Sequence, residues 1–266
     1  MNGPGIMKQL AILDASNYEV LTSAHETTGN RGLIVAIPHH AHYILSIVAI
    51  AEHLRKYRKV LIFYGSPATH SGNELFDEVY RAVFQDESSN AKVIHDTRAG
   101  LARAIRGLDE GAAVVIMPDV HKHEVDTYLV PFCGRPLNVM LGTAALARKT
   151  GATIVPAVSR ARADGPRFKT HFAEPLGPGE SAISGPDDDA ANNIHNDYTT
   201  TSTLFKIFER EMSSSIIHWQ YVRTHYGRTT QFPFVPPGRI EFAAELLLSD
   251  ARFRNLKQPA FLIDDT

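Results

Sequence analysis

The sequence predicts an α/β protein with a mostly parallel sheet that is flanked by helices on both faces. Short apolar runs, of the length of buried strands, alternate along the chain with segments of helical spacing. Glycine, proline or charged turns separate most of these segments. The composition, 44% hydrophobic and 21% charged residues, is ordinary for a globular protein of 266 residues. We therefore expect a single domain over residues 1–266.

The first half of the chain predicts three strands and two helices. The run 33–37 is continuously apolar, as in a strand buried on both faces. Leu75, Val79 and Val83 lie on one helical face. The expected elements in order are a strand at 33–37, a helix at 43–57, a strand at 59–64, a helix at 73–86 and a short strand at 92–94.

The second half continues the alternation and then changes character. Gly111 ends one predicted helix, and Gly151 ends an alanine-rich one as a C-cap glycine does. Residues 177–203 are rich in Gly, Pro, Asp, Asn, Ser and Thr, which predicts a mobile loop. The expected elements are a helix at 98–108, a strand at 112–117, a helix at 138–150, strands at 153–158 and 168–172, and a closing helix at 204–222.

Charge and cysteine content narrow the class of protein. The net charge of −2 gives no basic field for nucleic acid. Cys133 is the single cysteine, so an internal disulfide is excluded and a cytoplasmic setting is favoured. Three histidines and a proline interrupt the longest apolar window, which makes it a poor membrane span. The expectation is a soluble, cytoplasmic protein with at most peripheral contact with the inner membrane.

Two groups of polar residues follow predicted strands. His39, His40 and His42 come directly after the strand at 33–37, and Asp119 follows the strand at 112–117. Ligands of α/β proteins bind in the crevice at the carboxyl ends of parallel strands. An imidazole at that edge titrates near neutral pH, so the histidine segment indicates a general base.

Blocks of residues in a fixed order resemble the lysophospholipid acyltransferase superfamily, and most closely the late acyltransferases of lipid A biosynthesis. The resemblance covers about residues 32–228. In order, the blocks are the histidine motif at 38–45, Thr97–Ile105, Met117–Asp119, Val130–Pro136, the alanine-rich helix, the strand of Pro156 with Arg160 and Arg162, Asp164–Gly165, and Glu209 with His218–Arg223.

The resemblance implies that His39 is the general base. It would activate a hydroxyl or an amine for attack on an acyl thioester, with an acyl carrier protein or CoA as the donor's carrier. No cofactor beyond that donor is implied, and the acceptor is a lipid or a small molecule. The resemblance also places Arg98 and Arg135 near the donor or acceptor. We assign substrate binding to His40, Arg98, Arg135 and Arg160.

The sequence departs from the family pattern at two places. The family places a carboxylate five positions beyond the histidine, after four intervening residues, and this chain has Ile44 there. The family's N-terminal membrane anchor is not evident either. Both departures favour an acceptor other than lipid A, and an unusual acyl or aminoacyl donor.

Another group must then orient the imidazole of His39. A backbone carbonyl, Asp119 and Glu124 are the candidates, and Asp119 can reach the same crevice. Its alternative role is to cap the turn after Pro118. His42, in the same turn as His39, is the second candidate catalytic histidine.

Two other functions stay open at this point. The clusters His39/His40/His42 and Asp119/His121/His123 could converge on a metal ion, which would indicate a metal-dependent hydrolase. The missing carboxylate could instead mark a catalytically degenerate protein that binds an acyl carrier or a lipid. Cys133 lies in apolar surroundings with no base nearby in sequence, so inert packing is expected.

Overall fold

A computed structural model describes residues 13–14, 18–28, 31–66, 78–80, 83–84, 90–120, 127–161, 168–177 and 190–227. Within these residues, seven strands form one sheet in the order β1-β9-β8-β2-β5-β3-β4, and β6 and β7 form a separate antiparallel pair. The strands β8, β2, β5, β3 and β4 run parallel, while β9 is antiparallel to β8. The predicted mostly parallel sheet is therefore confirmed.

The strands and helices have the following bounds. The strands are β1 Leu13–Asp14, β2 Leu33–Ala36, β3 Val60–Tyr64, β4 Ala91–His95, β5 Ala113–Ile116, β6 Tyr128–Phe132, β7 Arg135–Val139, β8 Thr153–Ala161 and β9 Phe168–Phe172. The helices are α1 Glu19–Thr28, α2 Tyr43–Leu54, α3 Arg98–Asp109, α4 Gly142–Thr150, α5 Ala190–Met212, the 3₁₀ helix Ser213–His218 and α6 Val222–Gly227.

The central strand β2 separates two hydrophobic cores. Ile34 and Ala36 pack into the core that includes α3, α4 and α5, whereas Leu33 and Val35 pack into the core that includes α1 and α2. Successive side chains of a strand point to opposite faces, so both sets are buried. This burial explains why the strand reads as an unbroken apolar run, and it confirms that helices cover both faces.

The prediction of a mobile loop at 177–203 is wrong for residues 190–203, which belong to helix α5. Tyr198 is buried and its hydroxyl donates to the carbonyl of Leu129 at 2.8 Å, and Leu204 and Phe205 lie in the core. Burial of these side chains outweighs the low helix propensity of the Asn and Thr residues around them. Residues 178–189 lie outside the described part of the chain.

The β6–β7 hairpin was not predicted, and it shortens the expected helix at 138–150. Asn138 belongs to β7 and pairs with Leu129, so α4 begins only at Gly142. Cys133 and Gly134 form the two-residue turn, with φ angles of 49° and 76°. Positive φ at both positions is the geometry that tight hairpins require. The two prolines at positions 131 and 136 face each other in this pair.

Substitution of Gly100 is expected to cause a large loss of stability. A Cβ at this position of α3 would lie 1.8 Å from the carbonyl oxygen of His95, so the helix would have to move away from β4. We expect Gly100→Ala to lower the free energy of unfolding by about 1–3 kcal/mol, measured by urea denaturation. Gly142→Ala is the control, since nothing lies within 4 Å of its Cβ. Equal stabilities of the two variants would contradict this packing.

Candidate active site

The candidate active site lies where β2 and β5 end at the same edge of the sheet. The two strands are parallel neighbours, with Ala36 paired to Ile116. Each is followed by one apolar residue and then a proline, which has no N–H to extend the pairing. The third residue beyond each strand is His39 in one case and Asp119 in the other. The parallel register therefore brings an imidazole and a carboxylate to the same level.

His39 and Asp119 make two direct hydrogen bonds. The ring Nδ1 of His39 lies 2.7 Å from Oδ1 of Asp119, and the backbone N–H of His39 donates to Oδ2 at 2.8 Å. Both residues are buried. The structure thus brings together the residue expected to be the base and one of the three groups expected to orient it. Glu124, another of those three, lies outside the described residues.

Asp119 is ionised at neutral pH although it is buried. Burial by itself raises the pKa of a carboxyl group, but the facing imidazole of His39 and hydrogen bonds from His39 and Trp219 outweigh it, so the pKa of Asp119 lies below its ordinary value. The indole Nε1 of Trp219 donates to Oδ2 at 2.8 Å. A carboxylate that accepts several N–H bonds in a dry site is a strong acceptor for a further one.

This arrangement assigns the proton of the imidazole. Because ionised Asp119 can only accept, Nδ1 of His39 carries the hydrogen of the 2.7 Å contact. In the neutral ring, Nε2 then carries the lone pair. Within the described part of the chain, no hydrogen bond to Nε2 is found. Some polar atoms there are completely buried and have no hydrogen-bond partner, but Nε2 of His39 is not one of them. The nitrogen with the lone pair is therefore the one that has no partner among the described residues.

Two tyrosine rings border the imidazole. The ring centroids of Tyr43 and Tyr221 lie 4.7 and 5.2 Å from that of His39. Burial and the charge of Asp119 raise the pKa of Tyr43 to about 12, and they also raise the pKa of Tyr221. Both hydroxyls therefore stay protonated near neutral pH, and they surround His39 with neutral, partly apolar walls.

The other two histidines of the motif have different surroundings. His40 is fully buried, with Nδ1 at 2.7 Å from the carbonyl of Ser159 and Nε2 at 2.9 Å from that of Ser215. These contacts join the motif to β8 and to the 3₁₀ helix, which favours a structural role for His40 over contact with a substrate. His42 is exposed, and partial burial together with the nearby His218 lowers its pKa.

The three arginines expected to bind substrate lie in different places. Arg98 is exposed at the first position of α3. Arg135 donates to the carbonyls of His225 and Tyr226 at 3.1 and 3.3 Å, so it caps the end of α6. Its guanidinium is thereby engaged by the protein itself.

Arg160 pairs with Glu211, a buried carboxylate that also binds Arg210 at 2.8 Å and lies 3.2 Å from Nε2 of His171. Arg160 directly follows Ser159, whose carbonyl contacts His40. Of the three arginines, Arg160 is therefore the one that the chain connects most directly to the histidine motif.

No site role was predicted for Trp219, although its indole supplies one of the donors to Asp119. The only signal was indirect: a tryptophan is a hydrogen-bond donor with no acceptor, so a buried one needs an acceptor nearby. Nothing in the sequence identified an acceptor 100 positions earlier in the chain.

The described residues show neither a metal site nor a membrane-spanning helix. They contain no group of three or more His, Cys, Asp or Glu side chains arranged to hold a metal ion. His121 and His123 of the second predicted cluster lie outside these residues. Among the helices that the structure describes, none combines the length and the apolar character needed to cross a bilayer.

The depressed pKa of Asp119 predicts how stability depends on pH. An unfolded aspartate titrates near pH ~3.9, and the folded one titrates lower. Its contribution is therefore fully present above about pH 4 and is lost as the pH falls through the folded pKa. We expect the difference in free energy of unfolding between wild type and Asp119→Asn to shrink as the pH falls below about 4.

Urea denaturation between neutral pH and pH ~3 measures this difference. Asp109→Asn is the control, because it removes a carboxylate from an exposed position of α3. A difference between wild type and Asp119→Asn that persists unchanged at the lowest pH would rule out a depressed pKa at Asp119.

Comparison with known proteins identifies one family. The family described as bacterial lipid A biosynthesis acyltransferase matches residues 11–228, which is most of the chain and includes both His39 and Asp119. A search of curated proteins gave no match.

Proposed function

Because the chain belongs to the bacterial lipid A biosynthesis acyltransferase family, we propose that it transfers an acyl group from a thioester donor to a hydroxyl or amine acceptor with His39 as general base. Acyl transfer in general follows from the family. The observation that supports His39 in particular is its Nδ1 contact with Asp119, at 2.7 Å, which leaves the lone pair on Nε2.

In the proposed reaction the dyad moves one proton between the two substrates. Nε2 of His39 takes the proton of the acceptor hydroxyl or amine while that heteroatom forms a bond to the thioester carbon. The tetrahedral intermediate collapses, the carbon–sulfur bond breaks, and the imidazolium returns the proton to the leaving thiolate. The positive charge on His39 in the intermediate is stabilised by ionised Asp119 at 2.7 Å.

Asp119 supplies the carboxylate that is missing at position 44. In the family pattern an acidic residue five positions beyond the histidine orients the ring, and here Ile44 is the apolar side chain at that position. Asp119 reaches the same imidazole from the neighbouring strand β5. The departure from the pattern is thereby compatible with a working dyad, which argues against the degenerate-protein alternative.

The donor is proposed to be an acyl or aminoacyl thioester of an acyl carrier protein or of CoA. Both share a phosphopantetheine arm, whose phosphate is an anion. Arg160, half-buried beside the histidine motif, is the cation we assign to an anionic group of the substrates. His42, exposed at the start of α2, is proposed to contact the acceptor.

The test is an assay of the full chain with matched thioesters. Carrier-protein and CoA thioesters carrying the same acyl chains, including aminoacyl groups, are mixed with hydroxyl and amine acceptors. Released thiol and the mass of the acceptor are measured, with unacylated carrier as the blank. Transfer from either thioester supports the proposal, and the preferred carrier identifies the donor.

Two outcomes would overturn the proposal. Carrier binding without turnover of any donor would favour a binding protein. Activity that chelation abolishes and one stoichiometric metal ion restores would favour the metal-dependent hydrolase instead.

A further inference from the structure

Trp219 is joined to the proposed dyad by a buried hydrogen bond. Its indole Nε1 donates to Oδ2 of Asp119 at 2.8 Å, and both side chains are only 1% exposed. The same oxygen accepts the backbone N–H of His39 at 2.8 Å. Two donors that cannot accept a hydrogen bond therefore converge on Oδ2, which leaves Oδ1 for the ring of His39.

Aromatic contacts fix the plane of the indole. The ring of Trp219 lies edge-on to Phe132, at a centroid distance of 5.0 Å, and to His225, at 5.3 Å. The ring of His225 is itself held by a 3.0 Å contact between its Nε2 and the carbonyl of Phe132. Because neighbours on β6 and α6 hold the ring, the direction of its N–H is set before any substrate binds.

The backbone around Trp219 is attached to the histidine motif as well. The N–H of Gln220 donates to the carbonyl of His39 at 2.9 Å, and the N–H of Ala41 donates to the carbonyl of His218 at 3.0 Å. His39 and Trp219 therefore approach Asp119 from two segments that are bonded to each other. Because of these hydrogen bonds, a displacement of one segment also displaces the other.

We infer that Trp219 is a positioning residue of the proposed acyltransferase: its indole N–H holds Oδ2 of Asp119 so that Oδ1 accepts from Nδ1 of His39. The inference rests on the proposed function, since it deepens the role of the same dyad. Without the indole donor, Oδ2 is a less satisfied acceptor in a buried site. The carboxylate can then rotate or bind a proton. The ring hydrogen of His39 is then no longer held on Nδ1, so the lone pair is no longer confined to Nε2.

The role of Trp219 can be tested by a replacement that removes the indole N–H and changes little else. Trp219 is the only tryptophan of the chain, so production in a tryptophan auxotroph replaces it alone. Benzothienylalanine carries sulfur in place of the indole N–H and keeps the bicyclic shape. The control is 5-fluorotryptophan, which alters the ring but retains the N–H.

We expect the benzothienyl protein to lose about 10- to 100-fold in kcat/KM, with KM nearly unchanged, for the donor and acceptor that wild type uses. The acidic limb of its pH–rate profile should move to higher pH, because the ionised carboxylate has lost a donor. The fluorotryptophan protein should resemble wild type. A benzothienyl protein with wild-type kcat and pH profile would overturn the inference.

A second measurement does not depend on activity. In protein labelled with ¹⁵N-tryptophan, the single indole N–H gives one resonance, which should move downfield of its free value and should shift in Asp119→Asn. An indole resonance that is the same in wild type and Asp119→Asn would overturn the inference by itself. If wild type transfers no acyl group but this resonance responds, the proposed function fails while the contact stands.

Discussion

His39→Gln is expected to lower kcat/KM for acyl transfer by about 10²- to 10⁴-fold, the usual contribution of one positioned general base. The amide of glutamine is not a base, whereas an imidazole nitrogen with a lone pair is one. The loss should fall mainly on kcat, because the proton moves during the chemical step rather than during binding. Steady-state kinetics with the thioester preferred by wild type measures it.

His42→Asn is the matched control for this prediction. It replaces a histidine of the same motif, but one that is exposed and has a lowered pKa. We expect a modest loss, well below that of His39→Gln. Circular dichroism and urea denaturation should confirm that both variants fold. Wild-type turnover of folded His39→Gln would remove His39 from the role of base, and an equal loss in His42→Asn would mean that the two histidines share it.

The sequence allowed prediction of the two strand ends but not of their adjacency. The apolar runs before His39 and Asp119, and the proline that precedes each residue, are local features. That β2 and β5 are neighbours is a property of the sheet order, in which β3 and β4 lie beyond β5 although they precede it in sequence. Asp119 was therefore one candidate among three at the sequence level, and only the register singled out its contact with His39.

Contacts between residues that are far apart in the sequence account for the features that were not predicted. Helix α5 begins among Asn and Thr residues whose local preference is for loops, and it is stabilised by core contacts of Tyr198 and Phe205. The roles of His40 and Arg135 likewise depend on carbonyls of distant segments, at Ser159, Ser215 and His225. A residue type shows that a group needs a partner, but the fold decides which partner it meets.

Asp119→Asn should reduce kcat by about 10²- to 10⁴-fold although it changes a single atom, as in other histidine–aspartate dyads. The backbone N–H of His39 and the indole N–H of Trp219 both donate to Oδ2. The new amide must therefore turn its oxygen to that side and its NH₂ toward Nδ1 of His39. A donor facing Nδ1 forces the ring hydrogen onto Nε2, so the lone pair leaves the nitrogen that the acceptor meets.

Asp197→Asn separates this effect from simple loss of a buried carboxylate. Asp197 is also buried, and it binds Arg148 at 2.8 and 2.9 Å between α4 and α5, away from His39. Its variant should lose stability but keep the kcat of wild type per folded molecule. If the ring changes tautomer in this way, ¹⁵N shifts of His39 show the hydrogen on Nδ1 in wild type and on Nε2 in Asp119→Asn. Loss of activity without that exchange would mean that Asp119 acts through charge alone and not through orientation of the ring.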